Sequence, residues 1–297
     1  MIFLLFLPVI CFLVSFFVNA SLFRPEQKTN ADIDGRRVFF SSGRNRLTGY
    51  FWNETGTQGL LVFAHGMGTD IAYYLPEIHH FAAQGYKIFA FEYSGYKGSS
   101  GKFFGFPQTV IDLKNALDFA DDGSQPVLLL GHSMGAYAVC AVQQYRQQPV
   151  QAIVAYAPFV SPKAAMAEVT GRMGKYGKLF YGMVTLVQYI LFGSACNLNA
   201  ADGLVGTPAL ILQGNADQEV TPDGCSLYAH RNELPGVPAM FRLIEDAQSN
   251  GHMTVIRKTG SHSVNTDTIQ LVDAFLRKTL HEKTQKTNTA FPSGKMP

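Results

Sequence analysis

A chain of 297 residues, 47% apolar and only 15% charged, has enough material for one large domain with a sizeable core. Its formal net charge of +2 removes the electrostatic case for nucleic acid or for a strongly acidic partner. No repeat or low-complexity block divides the sequence.

The first twenty residues stand apart, because no charged side chain precedes Arg24. A buried core helix would carry a polar face, and this segment reads as having none. As a membrane anchor, residues 1–22 supply the ~20 residues that span hydrocarbon. As a cleaved signal peptide they offer Val18-Asn19-Ala20 as a processing site, but the basic leading region is missing. The anchor is the expectation, with secretion after cleavage as the alternative. The basic residues nearby (Arg24, Lys28, Arg36, Arg37) all follow the segment, which for an anchor favours a cytoplasmic domain. Cys11 falls in this segment, and Cys140, Cys196 and Cys225 have no spacing that builds a disulfide framework or a metal cluster.

Residues 23–35 read as a linker. Val38–Ser41 and Leu47–Trp52 then form two strands around a Ser42-Gly43-Arg44-Asn45 turn. Continuous apolar runs at 59–64, 86–91, 127–130, 151–156 and 208–213 read as strands buried on both faces. Helical spacing separates them at 69–84 and 110–120, so the sheet is mostly parallel and covered on both sides. The rhythm breaks between Pro158 and Val205, where 164–173 and 178–192 look helical. The second is strongly apolar, yet it is short for a span and Gln188 interrupts it. A helix at 222–233, a last strand at 240–245 and a closing helix at 268–279 complete the pattern, and 282–297 reads as a disordered tail.

The chemistry gathers at Gly131-His132-Ser133-Met134-Gly135. An apolar strand precedes it and small helix formers follow it, which is the context a nucleophile elbow requires. The bland alternative is an ordinary strand-to-helix turn. On these residues the chain resembles the α/β-hydrolase superfamily. The resemblance implies an eight-stranded, mostly parallel sheet with helices on both faces, a domain over 36–281, and a small helical cap at 158–205. It also implies the chain order serine, acid, histidine. Asp217, in Gly214-Asn215-Ala216-Asp217 after a core strand, takes the acid position, against a solvated loop aspartate as the alternative. His252 takes the base position, in the loop after the strand ending at Glu245. His262 is its rival, should 253–257 be the final strand instead. His65-Gly66-Met67-Gly68 resembles the oxyanion loop, so the backbone amides of Met67 and Met134 are the candidate oxyanion donors.

Tyr93-Ser94-Gly95-Tyr96-Lys97-Gly98-Ser99 resembles the glycine-rich loop of serine-aminopeptidase-like and monoacylglycerol-lipase-like hydrolases. The resemblance implies hydrolysis of a carboxylic ester or related acyl bond on a small-molecule substrate with an apolar acyl chain, without cofactor or metal. Aminopeptidase or amidase chemistry of the same residues is the alternative. It would need an acid for the substrate amine, and Glu92 or Glu168 could serve. A silent hydrolase fold used for binding is the third reading.

Overall fold

Strands buried on both faces send alternate side chains into opposite layers, and β3 (Leu60–Ala64) does so. Leu60, Val62 and Ala64 join one apolar layer, whereas Leu61 and Phe63 join the other. β5 (Val127–His132), β6 (Ala152–Tyr156) and β7 (Ala209–Gly214) repeat the pattern, each buried along its whole length. The computed structural model describes residues 2–25, 32–146, 148–234, 236–258, 261 and 263–290.

β1 (Arg36–Ser42) and β2 (Asn45–Trp52) form the expected hairpin, and β4 (Lys87–Phe91) pairs antiparallel with β2. All other pairings are parallel, out to β8 (Ala239–Ile244), in the order β1-β2-β4-β3-β5-β6-β7-β8. α3 (Phe106–Ala120) and α4 (Met134–Ala141) pack into one apolar layer through Val110, Leu113 and Ala138. α2 (Leu75–Ala83) and α7 (Thr266–Ala290) fill the other through Ile78, Phe81, Ile269 and Val272. Parallel strands put all their carboxyl ends on one edge, so the loops after β3, β5 and β7 converge there.

Between β6 and β7 lie α5 (Pro162–Gly171) and α6 (Gly177–Phe192). The N-terminal helix α1 (Ile2–Leu22) packs along α6. Phe23 follows it into the core, edge-on to Phe103 and Phe106, and the Asn19 side-chain amide donates to the carbonyl of Phe104 at 2.9 Å. The sequence reading saw no polar face on α1, but the structure finds a narrow one. Ser15 and Asn19, one turn apart, both point inward and are buried.

Two further expectations differ from the structure. The segment 222–233 is not a continuous helix; it runs as turns, with a short 3₁₀ turn at Arg231–Glu233. Its backbone is engaged elsewhere. Cys225 N–H donates to Glu168 of α5 at 2.7 Å, Val160 N–H donates to the Cys225 carbonyl, and Leu227 N–H to that of Pro158. The closing helix α7 continues to Ala290, so 282–290 is helical where a disordered tail was expected. Linker residues 26–31, tail residues 291–297 and the rival base His262 lie outside the described residues.

Candidate active site

One residue, Ser133, separates β5 from α4, and the turn is tight enough to force it to φ 53°, ψ −117°. Such a conformation costs a non-glycine residue about 1–3 kcal/mol and persists only where its surroundings impose it. Here they do. A Cβ on Gly131 would meet the Gly135 carbonyl oxygen at 2.5 Å, and one on Gly135 would meet that of Ala64 at 2.1 Å. Both glycines are therefore demanded by close backbone approach. Ser133 N–H donates to the Tyr156 carbonyl at 2.8 Å, which ties the turn to β6.

Asp217 arrives in the loop after β7 and is buried. Its Oδ1 accepts from the backbone N–H groups of Glu219 and Val220, each at 2.9 Å. Its Oδ2 accepts from Gln213 Nε2 at 3.2 Å and lies 2.8 Å from His252 Nδ1. On the far side of the ring, His252 Nε2 lies 3.0 Å from Ser133 Oγ. The structure thus brings Ser133, His252 and Asp217 into one chain of hydrogen bonds. Gly214 lets the two loops meet, since a Cβ there would strike the Asn250 carbonyl oxygen at 2.3 Å. Farther along the loop of His252, the Arg257 guanidinium donates to both oxygens of buried Glu77 on α2, at 3.2 and 2.8 Å, and to the Tyr73 carbonyl.

Met134 opens α4, so its N–H has no acceptor within the helix. Met67 and Gly68 share with Ser133, Met134 and His252 a cavity of about 390 Å³, walled by Phe106, Phe159, Val220 and Met253. A larger cavity of about 810 Å³ lies at the opposite ends of the strands, beside Gln58, Pro126 and Gln151. Behind the Met67 loop, His65 Nε2 lies 3.3 Å from Glu92 Oε2, both side chains fully buried, and Glu92 Oε1 accepts from Ile71 N–H at 3.0 Å. Glu92 is therefore sealed from the cavity. Glu168 accepts from Cys225 N–H, Thr221 N–H and Arg172. Neither acid offers an open carboxylate to a substrate amine.

A second network, not read from the sequence, joins these loops. Tyr74 Oη accepts from Gly66 N–H at 3.1 Å and lies 2.8 Å from His132 Nδ1, while His132 Nε2 lies 3.1 Å from the His252 carbonyl oxygen. Burial holds the His132 imidazole well below its ordinary pKa, so the ring is neutral. A carbonyl only accepts, so Nε2 carries the hydrogen and Nδ1 accepts from the Tyr74 hydroxyl. His132 was visible only as the unspecified second position of the elbow motif. Tyr74 and Gln213 carried no motif at all.

The comparisons agree with this architecture. A family model described as Serine aminopeptidase, S33, matches residues 55–189. The esterase Pf2001 of Pyrococcus furiosus is 16% identical, over 86% of this chain and 96% of its own, with a TM-score of 0.63. Est1E of Butyrivibrio proteoclasticus, solved with ferulic acid bound, is 14% identical over 83% of this chain and 99% of its own, with a TM-score of 0.59. A membrane phospholipase A described as a bacterial virulence factor is 14% identical over 93% of both chains, with a TM-score of 0.56. None of the curated proteins compared matches. The chain has the α/β-hydrolase fold.

Proposed function

We propose that the protein is a serine hydrolase that cleaves a carboxylic ester or related acyl bond through Ser133, His252 and Asp217. One observation carries this reading. The imidazole of His252 sits within hydrogen-bond reach of Ser133 Oγ on one side and of a buried carboxylate on the other. Ser133 Oγ attacks the carbonyl carbon while His252 Nε2 takes its proton, and Asp217 stabilises the imidazolium. The amides of Met67 and Met134 hold the negative charge that develops on the carbonyl oxygen. The bond to the leaving group breaks as His252 returns the proton to it. Water, deprotonated by His252, then attacks the acyl-enzyme and frees Ser133. No step calls on a cofactor or metal.

The walls of the cavity support an apolar acyl chain, with α5 contributing Ala165 and Val169. This favours the reading of 158–205 as a small cap, and the outward apolar residues of α1 favour the N-terminal segment as the part that meets a membrane. The aminopeptidase alternative loses its two sequence candidates, because Glu92 is enclosed and Glu168 is already bonded. The test is purified Ser133→Ala beside wild type, with short acyl nitrophenyl esters and a fluorophosphonate probe. Wild type alone should label and turn over; equal behaviour of the two proteins defeats the proposal. A panel of acyl esters against aminoacyl amides separates esterase from aminopeptidase, and faster turnover of the amides would favour the alternative.

A further inference from the structure

The polarity of α1 and α6 is inside out. On α1 the polar Ser15 and Asn19 are buried, while Val9, Ile10, Leu13, Val14 and Phe17 face outward, Phe17 at 73% exposure. On α6 the amide of Gln188 is buried beside Val184 and Val187, and Leu179, Leu186 and Ile190 are half or more exposed. Spacings of three and four put the outward residues of each helix on one side. A helix facing water carries the reverse arrangement, because each exposed leucine forgoes its transfer from water. A helix facing hydrocarbon carries this one, since lipid leaves only the protein side for polar groups. The two helices pack on each other, so their outward sides adjoin in one apolar surface. The charge carried by the two helices and their ends is basic, although Arg172 is paired with Glu168 and Glu219 beside it. Across 1–25 and 169–201 there is no Asp or Glu, and the charged residues are Arg24, Arg172, Lys175 and Lys178. Basic residues bordering an apolar surface complement the headgroups of an anionic leaflet.

This surface meets the candidate active site. Leu22 and Arg24, at the end of α1, line the cavity that holds Ser133. We propose that α1 and α6 together form a bilayer-docking face that sets the mouth of the Ser133 cavity against the membrane, so that the substrate is an acyl lipid drawn from the bilayer. The inference rests on the hydrolase reading for its substrate and on α1 and α6 alone for its surface. It also changes the part played by α1. With Ser15, Asn19 and Phe23 held by the protein, α1 is half of a face shared with α6 and not a lone span ringed by lipid.

The test uses the full chain with phosphatidylcholine vesicles, with and without phosphatidylserine. Leu186→Trp adds an emitter on α6 to the buried Trp52, and its added fluorescence should be quenched by brominated phosphatidylcholine, more strongly when phosphatidylserine is present. The combined variant Leu179→Glu, Leu186→Glu, Ile190→Glu should hydrolyse a short soluble ester within about twofold of wild type. It should lose tenfold or more on a long-chain ester embedded in vesicles, roughly the effect of forfeiting one buried leucine. Unquenched Trp at 186 overturns the docking face, as does undiminished turnover of the embedded ester by the triple variant. A dimer that buries position 186 and excludes vesicles assigns the surface to a second copy and overturns it too. Should wild type neither label with fluorophosphonate nor cleave any ester, the hydrolase reading falls, and quenching at 186 still decides the surface.

Discussion

At the scale of single residues, the functional argument turns on how firmly two loops are held around Ser133. His252 bridges Ser133 and Asp217, so His252→Ala should lower kcat by several orders of magnitude, as loss of a triad member does. Single-turnover assays beside wild type check this, and a loss within a small factor would remove His252 as the base. Tyr74 and His132 act one step back. They form a relay from Gly66 N–H, beside the proposed oxyanion donor Met67, to the backbone carbonyl of His252. Tyr74→Phe removes both the acceptor for Gly66 and the donor to His132. A buried hydrogen bond contributes about 1–1.5 kcal/mol, so a misplaced donor or base should cost about tenfold in rate. The expected signature of this positioning role is a tenfold lower kcat with KM nearly unchanged, since the relay touches no substrate. His132→Gln keeps a donor for the His252 carbonyl, and His132→Asn keeps only an acceptor for Tyr74. Gln should therefore retain more kcat than Asn. Equal loss in kcat and in thermal stability for all three variants would mark the network as packing alone.

At the scale of elements, the loop of His252 owes its placement to α2 as much as to β8. Arg257 clamps the stretch after His252 onto Glu77, and burial raises the Glu77 carboxyl while its bonds to Arg257 draw it back. Arg257→Ala would strand a buried acid, and breaking such a pair costs about 3–5 kcal/mol. Urea unfolding should show a loss of that order, and a change below about 1 kcal/mol would mean that the clamp contributes little. The same elements show what a sequence displays and what it hides. Continuous apolar runs announced β3, β5, β6 and β7, because strands covered on both sides have no polar face to confuse the pattern. Ser133, Asp217 and His252 were readable because each follows a strand at the carboxyl edge, which joins residues more than a hundred positions apart. The 222–233 segment was misread because its backbone bonds go to Glu168 and to the 158–160 strip, partners that no local periodicity encodes. Tyr74 was hidden for the same reason, as its value lies in a partner 58 positions away.

At the scale of the whole molecule, two buried groups on opposite sides of the sheet oppose each other as pH falls. Burial pushes the Asp112 carboxyl on α3 from 3.8 up to about 6, against the hydrogen bonds it accepts from Ser42 and Ser94. A raised acid keeps its proton in the folded state. Its contribution to stability is therefore complete below 3.8 and is lost as pH rises through about 6. His132 runs the other way. Burial holds it well below 6.5, so its contribution is complete above 6.5 and is lost as the unfolded chain takes up a proton below that value. Between about pH 4 and pH 6 the folded protein holds an extra proton at Asp112, while the depressed His132 imidazole resists the proton that the unfolded chain takes up, so the two slopes oppose each other. Each variant should uncover the slope of the other group. On acidification across this window, Asp112→Asn should lose about 1.4 kcal/mol per pH unit relative to wild type, and His132→Gln should gain relative to it. Urea unfolding of the three proteins at several pH values reads this directly, because every other titrating group is common to them and drops out of the differences. Curves that stay parallel to wild type would mean that neither group changes its protonation on unfolding. Curves that diverge in these opposite directions would mean that a single proton on each side of the sheet sets how the fold meets acid.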